Sequence, residues 1–225
     1  MTQRQDAEMD AAFQKLALKI GIELPERFSA LMAIAQSDKN TMRSVYDVFL
    51  LDAETAEREI DEWLDPADHE GRTFLPFATN GSGEPYCFVR LANGQTGIAQ
   101  ALHFGQMTSL AHIDISSWVT SHYVRAAADV SHLIYQPEVV TPQTEMGTVI
   151  THEVQLLHPA LLPEHRALLA DLFSRPCVAR SFKDGSESIP RTVNAFISQE
   201  ESELLQASLE QPDPFEFEVL RDWMR

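Results

Sequence analysis

Hydrophobic positions cluster into short runs, separated by polar turn residues, most clearly between Phe74 and Leu102. Three short apolar runs stand there, Phe74 to Thr79, Tyr86 to Leu91 and Thr96 to Leu102. The first gap holds Gly81, Ser82, Gly83 and Pro85, and the second holds Asn93 and Gly94. Runs of this length, broken by such residues, predict a three-stranded antiparallel sheet. Asn-Gly predicts a hairpin tip of type I′, because both residues tolerate positive φ. Pro85 cannot donate to a ladder, so it is expected at a strand start.

Around this sheet the apolar positions recur with a period of about 3.6. Ala7 to Ile20 reads as a helix closed by Gly21 at C′. A second helix starts at Pro25, with Phe28, Leu31, Met32 and Ala35 on one face. Val45 to Leu51 reads as a short strand, and Asp52 as the cap of a helix over 53–64. On that helix Ala53, Ala56, Ile60, Trp63 and Leu64 share one face. A further helix is expected after Asp114, carrying Ile115, Trp118, Val119 and Tyr123.

The segment Gln136 to Gln143, with Pro137 and Pro142, has the composition of a linker. It divides the chain into an expected domain over 1–140 and a second unit over 145–225. In the second unit, strands are expected at Thr148–Leu157, Cys177–Phe182, Ile189–Ile197 and Phe215–Leu220. A helix is expected at Pro163–Phe173, with another after the Ser198/Glu201 capping box. The order β-α-β-β-α-β is that of a ferredoxin-like fold. The expected class is therefore α+β in both parts.

The chain has 225 residues, 44% of them apolar, and a formal net charge of −17. No apolar run is long enough to cross a membrane, and the polar, acidic N-terminus does not read as a signal peptide. Two cysteines far apart suit a reducing, cytoplasmic setting. Strong negative charge argues against nucleic acid and anionic membrane as partners, and it would steer a basic protein partner. From Asp52 to Glu70 there are nine carboxylates and one base, Arg58.

The first part of the chain resembles the SUKH superfamily, which includes bacterial toxin-immunity proteins and fungal cell-wall assembly regulators. The resemblance rests on Gly21-Ile22-Glu23-Leu24-Pro25-Glu26-Arg27-Phe28, on Phe74-Leu75-Pro76-Phe77-Ala78, on Gly81-Ser82-Gly83-Glu84-Pro85-Tyr86, and on the helix around Ile115 to Val124. It covers roughly residues 10–130. One departure is that Ser37-Asp38-Lys39-Asn40-Thr41 lacks the Asn-Gly pair that the family often carries there. The resemblance implies an antiparallel sheet with flanking helices, and a non-enzymatic immunity protein that covers a toxin's active surface.

Candidate chemistry is sparse. Gly81-Ser82-Gly83 lacks the context of a nucleophile elbow or a phosphate loop and reads as turn chemistry. Eight histidines show no metal-ligand spacing; His152 and His158 could share one face of the expected strand, without a third ligand. Asp65, Asp68, His69 and Glu70 before Gly71 do not fit an EF-hand loop. Cys87 has no base beside it in sequence. No catalytic residue, metal or cofactor is expected.

The partner surface is expected at Asp61, Glu62, Trp63, Asp65, Asp68 and Glu70, provided Trp63 is exposed. The other reading puts Trp63 in the core and leaves the acids as a solvated face. The alternatives in function are a regulatory interaction module, or a hydrolase or transferase whose site is assembled from distant residues.

Overall fold

A computed structural model of the chain describes residues 3–37, 41–65, 69–102, 107–134, 143–183 and 189–219. They form an α+β protein of two compact units. Neither unit is a continuous half of the chain. The first comprises residues 1–41, 47–115 and 210–225; the second comprises 42–46 and 116–209.

Unit 1 is built on a meander. Its strands are β1 (Phe49–Leu50), β2 (Thr73–Thr79), β3 (Pro85–Arg90) and β4 (Thr96–Gln100), antiparallel throughout and hydrogen-bonded in chain order. The three strands expected from the short apolar runs are β2 to β4. Of the strand expected over 45–51, only Phe49 and Leu50 pair. Pro76 sits inside β2 where the register shifts between Pro76 and Ala78, so a bulge takes up the missing donor.

Both hairpin loops have three residues, Gly81-Ser82-Gly83 and Ala92-Asn93-Gly94. Gly83 donates to the Asn80 carbonyl at 3.0 Å, and Gly94 donates to the Leu91 carbonyl at 2.9 Å. Gly83 and Gly94 take φ of 78° and 85°, whereas Asn93 keeps a negative φ. Each loop is thus a type I turn followed by a left-handed glycine, not the type I′ turn expected at Asn93-Gly94.

Helix α1 (Gln3–Ile20) ends in a Schellman motif. Ile22 donates to the Ala17 carbonyl at 2.9 Å, Gly21 donates to that of Leu18 at 3.2 Å, and Gly21 has φ 71°. Helix α2 (Glu26–Ser37) follows Pro25. An edge-to-face aromatic series, Phe13 to Phe28 at 5.4 Å and Phe28 to Phe77 at 5.7 Å, joins α1 and α2 to the sheet. On a second core cluster, Phe74, Cys87, Val89 and Ala99 meet Trp63 and Leu64 from α3 (Ala53–Trp63) and Phe217 from the C-terminal segment.

Phe217 lies on the last strand, which pairs antiparallel with β5 (Met107–Ser109) in register Thr108↔Phe217. That strand (Glu216–Glu218) is β8 in chain order.

Unit 2 contains α4 (Ile115–Ala128, from Ser116 on), α5 (Ser131–Ile134), α6 (Met146–Leu156), α7 (Pro163–Ser174), the ribbon β6 (Val178–Phe182) with β7 (Arg191–Ala195), and α8 (Gln199–Leu209). Two expectations fail here. The strand expected over Thr148–Leu157 is α6, because Met146, Ile150, Val154 and Leu157 recur at helical spacing and are all buried. The expected last strand pairs with β5, not with β6 or β7. The ferredoxin-like order is therefore absent. The boundary expected at the Gln136–Gln143 segment is replaced by the division at 115/116, since α4 belongs with the second unit and residues 210–225 with the first. Residues 136–142 lie outside the described residues. The Ser198 cap is present, its Oγ accepting from the Glu201 N–H at 3.2 Å.

Candidate functional site

The acidic surface belongs to α3 and the turn after it. Asp52 caps the helix, its side chain accepting from the Thr55 N–H at 2.8 Å. Ala56, Ile60 and Trp63 form the buried face, while Glu54, Glu57, Asp61 and Glu62 are exposed. Lys19, at the end of α1, donates to Glu57 at 2.9 Å and to Asp61 at 3.3 Å. The bond to Glu57, then that to Asp61, raises the pKa of the Lys19 ammonium. Asp61 is therefore partly neutralised by Lys19.

Trp63 does not belong to this surface. It is 5% exposed, its indole N–H donates to Glu59 at 2.8 Å, and its ring packs in the core cluster with Leu64 and Phe74. The apolar period Ala56–Ile60–Trp63 dictates this burial, which corrects its place among the partner-binding residues. Asp65 is exposed and Asp68 lies outside the described residues. Glu70, at φ 55°, bonds Arg72 at 3.1 Å. Between them His69 is buried; its Nε2 donates to the Trp63 carbonyl at 2.8 Å and its ring meets Phe74 edge-on at 5.2 Å. This stretch stops a helix and turns the chain into β2. Among the described residues no group of His, Cys, Asp and Glu could hold a metal ion.

Unit 2 holds a polar cluster that depends on 148–157 being helical. Glu153, on α6, accepts from the hydroxyl of Tyr123 on α4. It also accepts from Ser44, through the backbone N–H at 3.1 Å and the hydroxyl at 3.0 Å. His132 donates from Nε2 to the Ser44 carbonyl at 3.2 Å, and its ring meets that of Tyr46 edge-on at 5.5 Å. Burial, together with the Glu153 carboxylate, pushes the Tyr123 phenol well up. Burial lowers the His132 imidazole, against smaller opposing effects of Ser44 and Asp129. Tyr123 is wholly buried, so the cluster anchors residues 42–46 to the unit rather than meeting a substrate.

A Ser–His pair also emerges, from residues 49 apart. The Ser116 hydroxyl lies 2.6 Å from His165 Nδ1, and the same oxygen accepts the Leu162 N–H at 2.7 Å. The hydroxyl proton thus points to Nδ1, as in a nucleophile–base pair. Ser116 has no exposed surface, however, and the pair braces the start of α7. Neither thiol is activated. Burial pushes Cys87 well up, and it raises Cys177 against the opposing effects of Gln143 and Arg180. His152 is exposed on α6 and His158 sits in the 3-10 turn after it, so the shared strand face expected for them does not exist.

The same unit carries an open groove of ≈ 940 Å³. Thr144, Thr148, Thr151 and Gln155 line one wall at helical spacing, residues 174–177 the other, and Phe173 and Phe196 also contribute. Among the described residues no carboxylate lines it. Gly147 permits its shape, since a Cβ there would stand 2.7 Å from the Phe173 carbonyl oxygen.

No family model, curated protein or solved structure matches this chain.

Proposed function

We propose that the protein is a cytoplasmic, non-enzymatic binding protein of the SUKH type that neutralises a toxin by covering its active surface. The observation that carries this reading is the outward face of α3 and its exit. Glu54, Glu57, Asp61, Glu62, Asp65 and Glu70 are exposed there with Arg58, on a chain of net charge −17. A toxin that grips nucleic acid presents basic residues for phosphate. A carboxylate face speeds encounter with it and forms the rim of the contact. The motifs of the family resemblance support the same reading as structural devices: Gly21 closes α1, Pro25 precedes α2, and Gly83 turns β2 into β3. Among the described residues no helix is long and apolar enough to cross a membrane.

The test starts from a complex captured from cells that express the protein. The triple variant E54K/E62K/D65K changes exposed positions only, so its melting curve should match the parent. Its association with the captured partner at low salt should slow by about tenfold or more, with a flatter salt dependence. Equal association rates would remove the acidic-face mechanism. Failure to protect growing cells from a toxin encoded beside it would remove immunity and leave a regulatory interaction module.

A further inference from the structure

The β6–β7 ribbon has one covered side and one open side. On β7, Asn194 turns its backbone away from β6: its carbonyl accepts from Val130 at 2.9 Å, and its N–H reaches the Ser131 hydroxyl at 3.4 Å. Ala179, opposite Asn194, is therefore a non-hydrogen-bonded partner whose own N–H and C=O point to the outer edge of β6. Two residues on, Ser181 does the same. The outward series continues to Cys177 and Lys183, where glutamine amides take up the Cys177 carbonyl and both backbone groups of Lys183. Gln143 Nε2 donates to the Cys177 carbonyl at 3.0 Å. The Gln199 amide accepts from the Lys183 N–H at 2.7 Å and donates to its carbonyl at 2.8 Å, as a neighbouring strand would. Between these caps, among the described residues, nothing takes up the backbone groups of Ala179 and Ser181, and both residues are exposed.

We propose that the outer edge of β6 binds an extended, acidic segment of a partner protein as a third strand. The backbone supplies two donors and two acceptors for the incoming strand. Charge selects its sequence. Within the strands the charged residues are Arg180 and Arg191, and β6 and β7 contain no acid; the segment between them carries Lys183, Asp184 and Glu187 in sequence. Arg191 is paired with Asp129 at 2.9 Å. Arg180 reaches only the Phe196 carbonyl, at 3.2 Å, and its buried Nε has no hydrogen-bond partner among the described residues. A carboxylate opposite Arg180 meets a guanidinium that has no acid partner there. A second copy of this chain fits less well, because two-fold pairing through Ala179 and Ser181 sets Arg180 against Arg180. This inference does not depend on the immunity reading, since strand addition serves any protein partner.

The experiment uses the whole protein and an eight-residue peptide alternating valine and glutamate, followed by amide NMR. The amides of Ala179 and Ser181 should exchange rapidly in the free protein. On titration their signals should shift, and their exchange should slow at least tenfold. The lysine counterpart of the peptide should bind at least tenfold more weakly. Ala179→Pro removes an outward N–H and leaves the ladder to β7 intact, so it should abolish the shifts while the Arg180–Val193 cross-strand contact persists. The same peptide N-methylated at alternate amides tests the strand pairing without altering the protein. Protection of Ala179 and Ser181 before any peptide is added would overturn the proposal, because the edge would then be covered by this chain or its copy. Absence of shifts, equal binding of the lysine peptide, or undiminished binding of the N-methylated peptide would overturn it too.

Discussion

The two units bury different things. Unit 1 hides aromatic and aliphatic side chains against both faces of a sheet, with His69, Thr73, Thr108 and His112 as its buried polar residues among those described. Unit 2 buries one helix almost all round. On α4, Ser116, Ser117, Thr120, Ser121 and His122 are buried among Trp118, Val119, Tyr123 and Val124. Such a helix is tolerable only where its hydroxyls find partners. Thr120 donates to the Ser116 carbonyl at 2.6 Å, Ser121 to Gln206 at 2.5 Å, Ser116 meets His165, and Tyr123 meets Glu153. Apolar area stabilises the first unit; in the second a set of satisfied polar contacts fixes which helix faces which.

The sharpest way to break this contrast is to remove one side chain from each interior. Trp63→Ala empties part of the unit 1 core and strands Glu59, and should cost about 3–5 kcal/mol in chemical denaturation. A change within about 0.5 kcal/mol, the scale of a surface substitution, would return Trp63 to the surface. Glu153→Ala leaves the buried Tyr123 hydroxyl and the Ser44 donors without an acceptor, at about 1–3 kcal/mol. Glu153→Gln keeps an acceptor oxygen and should lose less. Equal losses in the two Glu153 variants would mean that packing, not hydrogen bonding, holds residues 42–46.

Titration gives a smaller and more selective effect. His132 has a pKa depressed below 6.5 in the folded state. Its contribution to stability is complete above pH 6.5 and is lost as the pH falls through the folded value. Tyr123 is raised above 10.0, so its contribution is complete below pH 10.0 and is lost as the pH rises through the folded value. Denaturation across pH should therefore show unit 2 losing stability at both ends. His132→Asn should flatten the acid limb attributable to this imidazole, and an unchanged limb would place its cause elsewhere.

The smallest change falls on a turn. Gly94→Val puts a β-branched residue at φ 85° with no atom within 4 Å of its Cβ, so the cost is backbone strain alone, about 1–2 kcal/mol. Asn93→Ala should cost less, because Asn93 contributes only a side-chain acceptor to the Gln95 N–H at 3.0 Å. Reversal of that order in thermal melts would favour a type I′ turn.

The sequence by itself determined the elements whose signals are local. Short apolar runs bounded by turn residues set β2 to β4, Gly21 and Asp52 set helix ends, and the period through Ala56, Ile60 and Trp63 already held the burial of Trp63. Such signals depend on neighbours a few residues away, so a single chain displays them. Tertiary structure decided the rest. The run from Thr148 to Leu157 is rich enough in β-branched residues to suit a strand, and only burial of Ile150, Val154 and Leu157 along one helical face makes it α6. Phe217 joins β5 across more than a hundred residues, and Ser44, Tyr123, His132 and Glu153 converge from separate segments. No local pattern marks those meetings, because non-local pairing and the satisfaction of buried polar groups are properties of the assembled interior.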